Sequence, residues 1–146
     1  MPTTTLVTLI FSALAFPAFA GQSTHLVNLD EVKVALSNGA DVSMNIDLTK
    51  CKPTVSTTTP GSVQGGVKLS SFRITSDGIL SFSDSHTTVD SNGKPIWQFI
   101  RYQVKPDQTV AFSAFFFSLP SYTSVRPEVN YGCAVNQGVT FFANYR

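Results

Sequence analysis

The second half of the chain consists of apolar and β-branched runs that are separated by short turn sequences. Asp77-Gly78 and Asn92-Gly93 are dipeptides that favour the positive backbone angles of a tight hairpin. Pro106-Asp107 is typical of a type I turn. Because strands joined by short turns pair with their neighbours in opposite directions, these signals predict a meandering antiparallel sheet. No alternation of strands with helices, as in a parallel sheet, is visible in the sequence.

Eight segments have the composition of strands, and one has that of a helix. The strand segments are residues 42–48, 67–75, 79–84, 86–90, 96–104, 109–119, 129–135 and 139–145. The helix begins after Asn28, which can cap its first turn together with Glu31, and it ends before Gly39. We therefore predict a mainly β domain, either an antiparallel curled sheet or a barrel-like sandwich of about eight strands, with one short N-terminal helix.

The segment 110–119 is apolar on both faces of its predicted strand. Val110, Phe112, Ala114 and Phe116 alternate with Ala111, Phe115 and Phe117, and between residues 110 and 117 only Ser113 is polar. A strand of this kind must be covered on both sides. The helix can cover one face of a curled sheet, whereas in a barrel one face would line the interior.

The N-terminus has the pattern of an export signal. Residues 6–16 form an apolar run of about eleven residues, shorter than the ~20 that a membrane-spanning helix needs. Small residues at Ala18 and Ala20 then fit a cleavage site before Gly21. We predict a signal peptide at residues 1–20, a secreted, extracellular product, and a single domain at residues 21–146 with a flexible polar loop at residues 55–66.

The chain contains two cysteines, Cys51 and Cys133, and both lie in the predicted mature domain. An even number of cysteines in an exported protein indicates a disulfide, and with two there is one intramolecular pairing. Free thiols and an intermolecular bridge are the alternatives.

Charge and composition narrow the range of partners. The formal net charge is +1, and the charged residues are scattered rather than clustered. A nucleic-acid interface needs a basic patch, so no nucleic acid is expected, and no second apolar run is long enough to predict a membrane span. His25 and His86 together with the cysteines lack the close ligand spacing of structural zinc motifs, so we predict no metal and no cofactor.

One polar segment contains residue types that are used in hydrolytic catalysis. Ser83-Asp84-Ser85-His86 contains the residue types of a hydrolytic triad, but on a strand Asp84 and His86 point away from Ser83 and Ser85. A hydrolase would require Asp84 and His86 to meet a distant serine or aspartate in one cleft. We therefore assign no catalytic residue from sequence.

The aromatic residues give the remaining signal for a binding site. Trp97 and Phe99 share one face of a predicted strand, and Tyr102 lies on the other. With Phe112 and Phe116 of the next strand, these five residues are our candidates for lining a ligand cavity. Ordinary packing of a core is the alternative explanation for the same residues.

Several short motifs, taken in order, resemble the VirK family of secreted proteins over residues 26–142. They are Leu36-Ser37-Asn38-Gly39, Asp47-Leu48-Thr49-Lys50-Cys51, Gly65-Gly66, Phe82-Ser83-Asp84-Ser85-His86, Gly93-Lys94-Pro95, Phe99-Ile100-Arg101-Tyr102 and Tyr131-Gly132-Cys133. The resemblance implies export, one domain and the pairing of the two cysteines. It implies no activity, substrate or site residue, because the family has none assigned.

Three functions are compatible with these observations. The first is a secreted, non-catalytic binding or interaction module whose partner is an extracellular protein, a glycan or a matrix. The second is a carrier of a small apolar ligand inside a β-barrel cavity, and the third is a hydrolase. An exposed aromatic patch without a closed cavity would favour the first, and a closed interior volume of a few hundred Å³ would favour the second.

Overall fold

A computed structural model describes residues 23–55 and 59–145. The predicted signal peptide at residues 1–20 lies outside the described residues, as do residues 56–58 of the polar loop. The elements in chain order are β1 (Ser23–Leu26), α1 (Leu29–Ser37), β2 (Asp41–Asp47), a 3-10 turn (Leu48–Lys50), β3 (Lys52–Pro53), β4 (Gln64–Lys68), β5 (Phe72–Ile74), β6 (Leu80–Val89), β7 (Pro95–Val104), β8 (Thr109–Ser118), β9 (Val129–Val135) and β10 (Gly138–Asn144).

Eight strands form one strongly curled sheet, which confirms the predicted fold class. Their order across the sheet is β4-β2-β10-β9-β8-β7-β6-β5, and the short strands β1 and β3 pair with β10 and β9. Strands β5, β6, β7 and β8 are antiparallel neighbours, as the turn signals predict. Strand β9, which follows an irregular stretch, also pairs antiparallel with β8. Gly78 and Gly93 adopt the positive φ angles, 83° and 74°, that their turns require.

The predicted strand at residues 67–75 is two strands, and this difference determines the shape of the sheet. Residues 64–68 pair with β2 at one edge, and residues 72–74 pair with β6 at the other edge. Only residues 69–71 connect them, and Leu69 in this connection is buried. Because three residues must bridge the two edges, the sheet curls into a half-barrel whose edges approach each other at this end.

The sheet is mixed rather than fully antiparallel. Strands β9 and β10, which the sequence pattern places on either side of a short turn, run parallel for two residue pairs. The chain makes a tight step through Asn136, with φ 62°, and Gly138, with φ 94°, and then continues in its original direction. The predicted meander is therefore wrong at this point, because a sideways step within the sheet, and not an antiparallel turn, joins β9 to β10.

Helix α1 fills one end of the concave face. Asn28 Oδ1 accepts a hydrogen bond from the Glu31 backbone N–H at 2.9 Å, as predicted for the N-cap. Glu31 Oε2 accepts one at 2.9 Å from the N–H of Val27, the residue before the N-cap, rather than from that of Asn28 as in a standard capping box. The apolar face of the helix is buried in one core with inward residues of the sheet. The core residues that are least exposed include Leu29, Val32, Met44, Leu80, Val104, Val110, Val139 and Phe141.

A disulfide joins Cys51, which follows β2, to Cys133 on β9 across 82 residues of sequence. The bond lies against the step between β9 and β10. A Cβ atom added at Gly138 would lie 2.7 Å from Cys51 Sγ, so the step has no room for a side chain. The disulfide and the glycine therefore pack together where the sheet changes from antiparallel to parallel.

Removal of the disulfide should cost a large part of the folding free energy. The chain-entropy model assigns ~4–5 kcal/mol to a loop of this size. We expect the Cys51→Ala/Cys133→Ala double variant to show a correspondingly lower free energy of unfolding in urea. The parent protein treated with reductant should show a lower Tm. A double variant as stable as the parent would contradict this role.

Substitution of Gly138 by alanine should be more damaging than the same substitution at Gly93. Both glycines have positive φ, but a Cβ at Gly93 meets no atom within 4 Å, whereas one at Gly138 meets Cys51 Sγ. We expect Gly138→Ala to lower the free energy of unfolding by at least about 1 kcal/mol more than Gly93→Ala. Equal losses in urea denaturation would show that the contact with the disulfide has no energetic consequence.

Candidate functional site

The end of the half-barrel that α1 does not fill is an open cleft of about 720 Å³ on the concave face. We call it the concave cleft. Its floor is formed by alternate, inward-pointing residues of the sheet, namely Ile46, Ile100, Tyr102, Phe112, Ala114, Phe116 and Tyr131. All seven are buried. The polar side chains at its rim belong to Gln64, Asp84, His86, Gln98, Arg126 and Glu128.

An aromatic ladder crosses the concave face where the helical end meets the cleft. Phe82, Tyr102, Phe112 and Tyr131 are register partners on four consecutive strands. The ring centroids are 5.0, 5.6 and 5.9 Å apart along the ladder. Cross-strand aromatic pairs of this kind stabilise a sheet, so the floor of the cleft is part of the core and is held rigidly.

Tyr102 places a polar atom at the floor of the cleft. Only 4% of its surface is exposed, yet its hydroxyl has no hydrogen-bond partner among the described residues. No fully buried side-chain oxygen or nitrogen in the described part of the chain lacks a partner, so this hydroxyl is accessible from the cleft. Burial, and then the nearby negative charge of Asp84, raise the pKa of Tyr102 to about 12.

The rim contains charges of both signs. Asp84 lies on β6, and its Oδ1 accepts the Ser85 backbone N–H at 2.8 Å. Glu128 Oε1 accepts a hydrogen bond from Asn130 Nδ2 at 3.1 Å. The guanidinium carbon of Arg126 lies 3.3 Å from the centre of the Phe116 ring, a cation–π contact.

The segments beside β4 and before β9 form the walls of the cleft. Thr59, Pro60 and Val63 line one side, and the Tyr131 hydroxyl donates a hydrogen bond to the Thr59 carbonyl at 2.8 Å. On the other side, Arg126, Pro127 and Glu128 belong to a stretch without periodicity. Sequence reasoning missed Arg126 and Glu128 because nothing in an irregular segment indicates which strand it will face.

The cleft contains the components of the hydrolase hypothesis without assembling them. Asp84, His86 and Ser62 all line it. Within the described residues, no hydrogen bond joins His86 to either of the other two. A nucleophile is activated by a base within hydrogen-bond reach, and these described side chains form no such bond.

Three of the five aromatic candidates line the cleft, and two do not. Tyr102, Phe112 and Phe116 are on the floor. Trp97 and Phe99 are at odd-numbered positions of β7 and therefore point to the convex face.

There the two side chains belong to an aromatic patch formed by Trp97, Phe99, Phe115, Phe117 and Tyr122. Trp97 lies 5.6 Å from Phe99, 5.7 Å from Phe117 and 5.9 Å from Tyr122, measured between ring centroids. Phe99 and Phe115 are 6.3 Å apart by the same measure.

The described residues contain no group of side chains suited to a metal ion and no helix suited to crossing a membrane. Among residues 23–55 and 59–145, no three His, Cys, Asp or Glu side chains are grouped closely enough to hold a metal ion. Both cysteines are in the disulfide. No helix in the described part of the chain has the length and apolar character needed to cross a membrane.

The sequence of this chain is similar to a family model and to two bacterial proteins, and its fold is similar to that of a solved structure. Residues 25–122 match a family model described as VirK protein. An uncharacterized protein in the pinF2 3′ region of Rhizobium radiobacter is 39% identical over 131 residues, which cover 89% of this chain and 90% of that protein. The uncharacterized protein y4wH of Sinorhizobium fredii is 39% identical over 125 residues, 86% of each chain.

One solved structure shares the fold. It is the crystal structure of lpg1832, a VirK family protein from Legionella pneumophila, with a TM-score of 0.72 and 19% sequence identity. The match covers 81% of this chain and 98% of that chain. At this level of identity, the likeness establishes the common architecture alone.

The raised pKa of Tyr102 predicts a late step in alkaline titration. The neutral phenol is favoured in the folded state, so its contribution to stability is complete below about pH 10 and is lost as pH rises towards 12. We expect the difference in tyrosinate absorbance between the parent and Tyr102→Phe to develop near pH 12, or together with alkaline unfolding. A midpoint near pH 10 in the folded protein would contradict the buried position of this hydroxyl.

Proposed function

The chain belongs to the VirK family, and we propose that it is an exported, non-catalytic binding module whose ligand occupies the concave cleft. The family has no assigned molecular activity, and the two bacterial relatives are described as uncharacterized. The proposal therefore rests on the geometry of this chain.

The single observation that carries the proposal is the unfilled end of the half-barrel. Helix α1 supplies apolar side chains for one end only, and the other end remains a concave volume of about 720 Å³. Ligand sites in proteins have volumes of roughly 300–1,000 Å³, apolar walls and a few convergent polar groups. The apolar floor and the polar rim of the cleft fit this description.

The openness of the cleft favours a binding module over an enclosing carrier. A ligand on the aromatic floor would keep part of its surface in contact with the rim and with water. A carrier that encloses a small apolar molecule would instead need a closed interior. Export is supported by the disulfide, which is typical of proteins in oxidising compartments.

The aromatic patch on the convex face supports a second candidate function. Tyr122 is 62% exposed and caps the patch from the loop after β8. Exposed clusters of large apolar side chains are typical of interaction surfaces, so this patch is a candidate site for a macromolecular partner such as a protein, a glycan or a matrix.

Filling the cleft should abolish the binding of a small apolar probe. N-phenyl-1-naphthylamine is neutral and fluoresces in apolar sites, so it reports binding without a charge preference. Ala114 is on the floor of the cleft, and an Ala114→Phe side chain would occupy part of its volume. We expect fluorescence titration to show at least about tenfold weaker binding, equivalent to 1.4 kcal/mol.

The matched control is Ala111→Phe, on the same strand but on the opposite face. This variant should bind the probe as the parent does. Gln98→Trp at the rim provides a second block if Ala114→Phe does not fold by circular dichroism. Equal loss with Ala111→Phe, or none with either cleft variant, would show that the probe binds elsewhere.

A further inference from the structure

We propose that the concave cleft selects ligands that carry a cationic group on an apolar body, of the kind represented by a small alkylammonium amphiphile. This inference rests on the proposed function and names the ligand class of that cleft. Its basis is the charge, the aromatic lining and the unpartnered hydroxyl that the cleft brings together.

The ionised groups that line the cleft have an excess of negative charge. Asp84 and Glu128 contribute two carboxylates, Arg126 contributes one guanidinium, and no lysine is among the lining residues. Neither carboxylate forms an ion pair with a described residue. Because nearby apolar walls strengthen electrostatic interactions, these carboxylates favour a ligand with positive charge.

The cleft already holds one cation against its aromatic lining. The guanidinium carbon of Arg126 is 3.3 Å from the centre of the Phe116 ring. Cations bind to aromatic ring faces because the face of the ring is negative, and ammonium ligands use the same attraction. Phe116 therefore offers a cation site, and in the free protein Arg126 occupies it.

The hydroxyl of Tyr102 is a second indication that the floor of the cleft is a ligand site. The residue is almost completely buried, yet this hydroxyl has no hydrogen-bond partner among the described residues. The charge of Asp84 acts on it, since that charge contributes to the raised pKa of Tyr102. A hydroxyl that has no partner in the described part of the chain, and that lies within the electrostatic influence of a carboxylate, fits the polar end of a bound molecule.

An anionic head group would be poorly accommodated in the same position. The lining holds two carboxylates, and its one guanidinium is already on Phe116. A cationic head group would gain attraction to the carboxylate that it approaches, and its apolar body would cover the ladder residues Tyr102 and Phe112.

Two probes of equal chain length and opposite charge test the inference. We would titrate the full mature chain with decyltrimethylammonium and with decanoate by calorimetry, at pH 8 and low ionic strength, below the concentrations at which either forms micelles. The cation should bind about tenfold or more tightly than the anion. Added salt should reduce the difference, since the preference is electrostatic.

Single substitutions test whether the side chains of Asp84, Glu128 and Arg126 cause the preference for a cationic ligand. Glu128→Gln and Asp84→Asn should each weaken binding of decyltrimethylammonium about threefold to tenfold, and this loss should exceed any change in the affinity for neutral N-phenyl-1-naphthylamine. Asp30→Asn changes the net charge equally on the exposed helix surface and should leave both affinities unchanged. Arg126→Gln should strengthen binding of the cation, because it removes a like charge and frees the Phe116 ring.

The outcomes separate this inference from the proposed function. If Ala114→Phe blocks the neutral probe but decanoate binds as well as the cation, the cleft is a binding site and the charge preference is wrong. Weaker binding of the cation by Arg126→Gln would also overturn the preference. If neither charged probe nor the neutral probe binds, both the inference and the proposed function fail.

Discussion

The short connection between the two edges of the sheet is the constraint on which the rest of the structure depends. Strands β4 and β5 are at opposite ends of the strand order, yet only residues 69–71 separate them in sequence. An extended chain of that length spans no more than about 14 Å. The eight-stranded order must therefore curl until its edges nearly meet, and the buried side chain of Leu69 fixes the connection to the core.

The positions of the core and of the concave cleft both follow from the curl of the sheet. At the connected end, the short apolar face of helix α1 is buried in the core of the half-barrel. At the far end, residues of β4 and β6 line the cleft, and no helix among the described residues lies over its floor. The ladder from Phe82 to Tyr131 crosses the sheet between these regions, so the groups that stabilise the core also form the floor of the cleft. The disulfide lies away from the two edges, near the middle of the strand order, where β9 steps into β10.

Those elements whose position depends on a few neighbouring residues, such as the start of the helix and the hairpin turns, could be predicted from the sequence. Asn28 and Glu31 specified the start of the helix, and the glycine-containing turns specified the hairpins. The parallel step at Asn136 and Gly138 could not be predicted, because a turn sequence does not reveal whether the next strand reverses or continues. The alternation of β7 does separate Trp97 from Tyr102, yet only the curl of the sheet decides that the face with Tyr102 is concave. Arg126 and Glu128 lie in an irregular segment, and its position is determined by long-range packing. Their place at the rim of the cleft therefore could not be predicted from the sequence.

The central claim is that the ligand site is the unfilled end of the half-barrel, and backbone amide chemical shifts test it directly. Decyltrimethylammonium should be titrated into the isotope-labelled protein below its micelle-forming concentration. The largest shifts should occur at the cleft end of β6 and β7, near Asp84 and Gln98, and in the segment from Arg126 to Tyr131. Shifts confined to the convex patch around Trp97 and Tyr122, with the cleft residues unchanged, would contradict it.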